Sequence, residues 1–230
     1  MKQITLSPRL EKIAELIENA KNAADIGTDH AYLPVALIQR GKAETAIASD
    51  IRPGPLKHAE DTVRKYGMAD KVSLRLGPGL ETVTLKDGVD VIIIAGMGGE
   101  TIAAILENSV DIVKNAKTII AQPMTSAPEL REYIYDKGFA DIQETLAVEG
   151  EKIYNIISMK PGCENHPPLK PYELIAGRDL IERKPEHFDR YIKNIIKART
   201  AKLEGLKHSS SPDRAEIERT EEIIEALRNA

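Results

Sequence analysis

The sequence predicts an α/β fold built on a doubly wound, mostly parallel sheet with an antiparallel closing hairpin, followed by a C-terminal helical coiled-coil hairpin. Three observations predict it. Short β-rich runs alternate with helical patterns through the first 160 residues, the signature of parallel strands joined by crossover helices. The run 89–95, Val-Asp-Val-Ile-Ile-Ile-Ala, is apolar enough to be buried on both faces, as a central parallel strand requires. After Pro161-Gly162 the strand signals stop, and apolar residues recur only at helical spacing.

Taken in order, Ser7-Pro8 sets a cap and a first-turn proline before a helix with Leu10, Ile13, Leu16 and Ile17 on one face. Residues 23–26 form a first buried strand, with a loop at Gly27 and a helix through 33–38. Strands at 45–50 and 71–76 flank a helix at 54–66, and the central strand 89–95 leads to a helix at 101–106. A fifth strand at 118–121 precedes a helix at 128–137 ended by Gly138. Residues 139–148 and 152–159 close the sheet as an antiparallel pair around Glu149-Gly150-Glu151. This makes residues 1–160 a Rossmann-like domain, 161–171 a stiff proline-rich linker and 172–230 a helical domain. In the last, Phe188, Ile192, Ile195, Ile196, Leu203 and Leu206 mark one helix. Ile217, Ile223, Ile224 and Leu227 mark a second, with Ser211 as its expected cap.

Composition narrows the function classes. The 230 residues are 42% hydrophobic and 30% charged, the balance of a globular protein. No apolar run nears the roughly 18 residues that a bilayer span needs, and the N-terminus lacks a signal-peptide pattern. A single cysteine, Cys163, makes neither an internal disulfide nor, alone, a structural zinc site. The expected setting is cytoplasmic, with no membrane and no metal. The net charge is −4, yet the window 183–207 carries +5, leaving −9 on the rest. Charge is segregated, so an acidic chain presents a basic face.

Ligands of doubly wound sheets bind at the carboxyl ends of the strands, which directs attention to the loops at 27–32, 50–54, 77–80, 95–100 and 122–126. The first reads Asp25-Ile26-Gly27-Thr28-Asp29-His30-Ala31-Tyr32. A dinucleotide loop wants three glycines so that a pyrophosphate can press on the backbone, and here only Gly27 is present. Acidic residues instead suit S-adenosylmethionine, whose sulfonium and amino group are cationic. Asp50 stands about 20 residues beyond the glycine loop, the spacing of a carboxylate that takes a ribose diol. These features favour an adenosine-containing ligand and leave both NAD and S-adenosylmethionine open. Ala95-Gly96-Met97-Gly98-Gly99-Glu100 places three glycines in four residues, either for close ligand approach or for a tight turn.

The motifs Asp25–Pro34, Ile94-Ala95-Gly96-Met97-Gly98-Gly99 and Gln122-Pro123 together resemble the bacterial tRNA adenine-22 N1-methyltransferase family. The likeness extends through the Glu149–Tyr154 hairpin to the terminal helices. It implies a class I methyltransferase with S-adenosyl-L-methionine as donor and N1 of a tRNA adenine as acceptor. It implies cofactor contacts at Asp25, Gly27, Thr28 and His30, at Asp50 and Ile51, at Gly77 and Gly79, and at Ala95, Gly96 and Met97. Acceptor contacts fall at Tyr32, Gly98, Gly99, Gln122 and Pro123. Two departures stand out. Members commonly read Gln-Pro-Asn where this chain has Gln122-Pro123-Met124, and methionine cannot supply asparagine's hydrogen bonds. Pro78 offers neither an N–H nor a polar side chain, so contacts to the cofactor's adenine there must come from neighbouring backbone.

N1 of adenine has an in-plane lone pair and needs placement rather than a base: about 3 Å from the methyl carbon, in line with the departing sulfur. In paired RNA the base must first be swung out. Methylation leaves positive charge on the ring, which a carboxylate facing the exocyclic amine stabilises. Asp29 is the candidate for that role; binding the methionine amino group, or holding the loop, are its alternatives. Tyr32 either stacks on the base, packs against the methionine end or sits in the core. Arg190, Lys193 and Lys197 share a helix face and are expected to hold tRNA phosphates. The expected partner is tRNA and the expected state a monomer or weak dimer. The rivals are an NAD-dependent oxidoreductase, a non-catalytic RNA-binding adaptor, and a methyltransferase with a different acceptor.

Overall fold

The computed structural model describes residues 3–209 and 212–230. Seven strands form one sheet in the order β3-β2-β1-β4-β5-β7-β6. They are β1 (Ala20–Ile26), β2 (Ala43–Asp50), β3 (Val72–Leu76), β4 (Val91–Gly98), β5 (Thr118–Thr125), β6 (Ala140–Glu149) and β7 (Lys152–Lys160). The first five run parallel; β7 pairs antiparallel with both β5 and β6. Strand order reverses between β1 and β4, so the crevice opens beyond the carboxyl ends of these two strands.

Each central strand feeds two cores because successive side chains point to opposite faces. Ile93 joins Ala23 in one core, which holds α1 (Pro8–Glu15), α2 (Tyr32–Gln39) and α3 (Pro53–Lys65). Ile92 and Ile94 join Ala24 and Ile26 in the other, under α4 (Gly99–Glu107), α5 (Val110–Asn115) and α6 (Ala127–Asp136). All three isoleucines are fully buried, which accounts for the unbroken apolar run.

Beyond β7 come α7 (Pro171–Ala176), α8 (Arg178–Arg183), α9 (Phe188–Lys207) and α10 (Arg214–Arg228). Phe188 and Ile192 at the start of α9 share a core with Ile223 and Leu227 at the end of α10, so the two helices run antiparallel. Leu146 of β6 belongs to that same core. No helix among the described residues is long and apolar enough to cross a membrane.

The structure corrects several sequence expectations. β4 runs on to Gly98 and β5 to Thr125, into the loops expected at 95–100 and 122–126, because their pairing resumes across register shifts around Met97. The short helices α5, α7 and α8 were not anticipated; six residues are too few to show a period. Ser7 stands at the N-cap of α1, but its hydroxyl caps nothing. Ser211 lies outside the described residues, and α10 is capped by Asp213, whose carboxylate accepts from the Glu216 N–H at 3.1 Å.

Candidate active site

The register brings the acidic and glycine-bearing loops into one crevice. Asp25 of β1 pairs with Ala48 of β2 and Ile93 of β4, while Ala95 pairs with Gln122 of β5. Two non-glycine residues at these strand ends adopt left-handed backbone: Ala31 (φ 51°), which precedes α2, and Ser126 (φ 53°), which precedes α6. Strained backbone of this kind persists only where the surroundings hold it, as at ligand-facing loops.

Hydrogen bonding in the first loop discriminates between ligands. The N–H groups of Gly27 and Thr28 both donate to the Ser49 carbonyl at 2.8 Å, and the Ala31 N–H donates to the Thr28 hydroxyl at 3.1 Å. Two of the backbone donors that a diphosphate would use at this turn, those of Gly27 and Thr28, are therefore already taken. What faces the crevice is acidic. Asp25 is buried, and desolvation pushes its carboxyl up to about 6 despite the opposing Thr28 hydroxyl and Arg9 guanidinium. Asp50 is almost fully buried; its Oδ1 accepts from the Arg52 N–H at 2.7 Å, and Oδ2 accepts from no described residue. Ile51 (66% exposed) and Leu76 (60%) border Asp50, offering apolar surface to a flat ring.

The glycines divide by role. A β-carbon on Gly27 (φ +80°) would stand 2.1 Å from the terminal methyl of Met97, so Met97, expected as a cofactor contact, lies against the Gly27 loop. Gly96 (φ +83°) is exposed at the bulge of β4. Gly99 is buried, and a β-carbon there would meet the Ser126 carbonyl oxygen at 1.9 Å. Packing of α4 against the start of α6 thus explains Gly99 without any ligand. Gly79 (φ +51°) likewise faces the Ile105 side chain.

Asp29 is exposed and lies 3.4 Å from Nε2 of His30. His30 is sandwiched between Tyr32 and His58, with ring centroids 5.0 and 4.9 Å apart and planes within 8° and 11°. Tyr32 is 41% exposed, which removes the core role from its possible placements. The ligand atoms of Asp29, His30 and His58 lie within 4.8 Å of one another. Stacked imidazoles, however, keep their in-plane lone pairs in separate, nearly parallel planes, which disfavours a shared metal ion, so the group reads as a ring ladder at the mouth of the crevice.

Gln122 is fully buried; its Nε2 donates to the Pro123 carbonyl at 2.8 Å and approaches the Met124 sulfur at 3.6 Å, while its Oε1 accepts from Arg9 at 2.6 Å. Arg9 was missed in the sequence. Its signal was a cation on the apolar stripe of α1, four residues before the fully buried Ile13. Of the basic helix face, Arg190 is tied to Glu151 at 3.4 Å, whereas Lys193 and Lys197 are exposed and form no ion pair among the described residues.

Residues 6–157 match the family model for a methyltransferase domain, so the fold and the crevice define a Rossmann-like methyltransferase. The tRNA (adenine(22)-N(1))-methyltransferase of Bacillus subtilis (strain 168) is 41% identical over 162 residues, covering 70% of this chain and 68% of the relative. The crystal structure of the B. subtilis m1A22 tRNA methyltransferase TrmK matches with a TM-score of 0.85 at 31% identity, over 99% of both chains. M. capricolum TrmK in complex with its cofactor product S-adenosyl-homocysteine matches at 0.82 and 30% identity, over 97% of this chain and 96% of that one. This chain belongs to the tRNA (adenine(22)-N(1))-methyltransferase family.

Proposed function

We propose that the protein transfers a methyl group from S-adenosylmethionine to N1 of adenine 22 in tRNA. The observation that carries the cofactor reading is the spent Gly27 and Thr28 N–H groups beside two buried carboxylates, a site hostile to a diphosphate and suited to a cation. It counts against the NAD-dependent oxidoreductase. When bound, the cofactor supplies an electrophilic methyl on a sulfonium that leaves as a neutral thioether.

The chain's own residues do the rest. Asp25 faces the cationic methionine end, and Asp50 Oδ2 is free to accept from the ribose diol. Ile51 covers the adenine of the cofactor. Asp29, at the crevice mouth, meets the exocyclic amine of the target base and offsets the charge that develops as N1 attacks. His30 steadies that carboxylate from 3.4 Å, and the exposed Tyr32 ring receives the swung-out base. Gly98 lines the acceptor side, backed by the buried Gln122 and Pro123. Lys193 and Lys197, with Arg190, hold tRNA phosphates, which makes residues 172–230 the RNA-holding unit and 1–160 the catalytic one. The reading includes a cytoplasmic enzyme that works as a monomer or weak dimer.

Transfer of labelled methyl to unmodified tRNA, followed by nucleoside identification and mapping of the site, tests the proposal. Label in 1-methyladenosine at position 22 is expected. Label at another nucleoside would reassign the acceptor and point to Met124, and no transfer with intact cofactor binding would favour the adaptor.

A further inference from the structure

We propose that Arg9 anchors the α-carboxylate of S-adenosylmethionine, pairing with Asp25 to recognise the zwitterionic end of the cofactor. The inference rests on the cofactor reading above. S-Adenosylmethionine carries two cationic groups and one anionic group; Asp25 answers the cationic end, Asp50 the ribose and Asp29 the target base, and none of these carboxylates can answer the anion. The carboxylate needs a cation that reaches the same crevice. Arg52 does not serve, being 74% exposed and tied to Asp50.

Arg9 enters from α1, far from the crevice in sequence. Its backbone N–H donates to Glu149 Oε2 at 3.4 Å, its Cζ stands 5.6 Å from the centre of the Tyr154 ring, and its Nη1 donates to Gln122 Oε1 at 2.6 Å. Gln122 is itself turned by the bond from its Nε2 to the Pro123 carbonyl, so its oxygen faces Arg9. Nη1 lies 3.7 Å from the place a β-carbon would take at Gly96, at the exposed bulge of β4. The guanidinium is therefore fixed in position, yet among the described residues no carboxylate lies within ion-pair distance of it. One of its five N–H groups is given to a neutral amide; the others remain available for an anion. A planar fork held this way matches a carboxylate in bidentate fashion. Asp25 supplies the complementary charge on the β1 side. An α-amino acid bears both charges on one carbon, so the two residues read the two halves of a single group.

The test compares S-adenosylmethionine with decarboxylated S-adenosylmethionine, which keeps the sulfonium and the amine, by calorimetric titration of the whole chain. Arg9→Met is expected to weaken S-adenosylmethionine by about 10–100-fold, the worth of a charge-assisted bidentate bond, and to leave the decarboxylated compound within twofold. Arg9→Lys, which keeps the charge and loses the fork, is expected to give an intermediate loss for the first ligand only, and it serves should Arg9→Met not fold. Equal losses for both ligands, or no loss for either, would overturn the assignment. So would a fall in tRNA affinity with cofactor affinity intact, which would mean that the guanidinium holds a phosphate. Wild-type protein that binds neither compound would instead overturn the cofactor reading itself.

Discussion

The guanidinium of Arg131 and the carboxylate of Glu144 form an ion pair at 2.8 Å in which both side chains are buried, 1% and 0% exposed. Arg131 belongs to α6 and Glu144 to β6, but the pair also reaches outward. Arg131 donates to the carbonyls of Leu174 and Ile175 at 2.7 and 2.9 Å, and lies 3.4 Å from the Tyr191 hydroxyl. Asn155 donates to Glu144 at 2.8 Å. The main-chain N–H of Glu144 donates to Asp179 at 2.6 Å. The C-terminal helices are thereby tied to the sheet through a fully buried ion pair and the part-buried bonds around it.

Removing one half of such a pair leaves an uncompensated buried charge and orphaned carbonyls. Arg131→Met is expected to cost about 3–5 kcal/mol, read by urea denaturation. An Arg131→Met/Glu144→Leu double variant should recover part of that loss, the Leu174 and Ile175 carbonyls remaining unpaired.

Gly99→Ala and Gly27→Ala should differ in kind. The first drives a β-carbon to 1.9 Å from the main-chain oxygen of Ser126, which cannot move without displacing the start of α6 from α4. A loss above about 2 kcal/mol is expected in thermal denaturation. At Gly27 the obstacle is the far end of Met97, which can rotate. The cost there is the left-handed backbone, about 1–2 kcal/mol, together with a measurable fall in cofactor affinity.

Asp25 holds its proton to about pH 6 in the folded chain because of burial, against about 4 when unfolded. Ionising it without a bound cation costs stability that sets in as pH rises from about 4 to about 6 and persists above; below about 4 both states are protonated and the cost vanishes. Asp25→Asn should therefore stabilise the ligand-free protein at pH 7 by about 1–3 kcal/mol, while weakening S-adenosylmethionine binding. Melting temperatures across pH 4–8, with and without cofactor, check both halves.

Asp29→Ala is expected to reduce methyl transfer by at least 100-fold while keeping cofactor affinity within a few fold, measured by single-turnover transfer and by titration. Loss of cofactor affinity instead would move Asp29 to cofactor positioning.

Lys193→Ala and Lys197→Ala should each weaken tRNA binding and lower the slope of log K against log salt by about one, with no change in cofactor affinity. Arg190→Ala should do less, since Glu151 already competes for its guanidinium.

The sheet was legible because its central strands are buried on both faces: the Ile92-Ile93-Ile94 run announces its own place. Asp25, Gly27 and Asp50 were legible for a related reason, each standing at a fixed offset from such a strand. The ends of β4 and β5 were not, since a bulge that resumes pairing through Gly96, Met97 and Pro123 looks like loop composition. Arg9 escaped because its partners Gln122 and Glu149 lie more than a hundred residues away. The link from Arg131 to α7 escaped similarly, for a buried arginine carries no local mark. His58 became notable only when folding stacked it on His30.

The lock between α6, β6 and the terminal helices carries a geometric consequence. Because these bonds tie the terminal helices to the sheet, the lysines of α9 and the crevice are expected to keep a set span, like the jaws of a caliper. If those lysines grip tRNA phosphates as proposed, holding the RNA backbone at one jaw would select which nucleotide arrives at the other, and lengthening the intervening arm by a base pair would present the wrong residue. Target choice would then be partly a measurement of length.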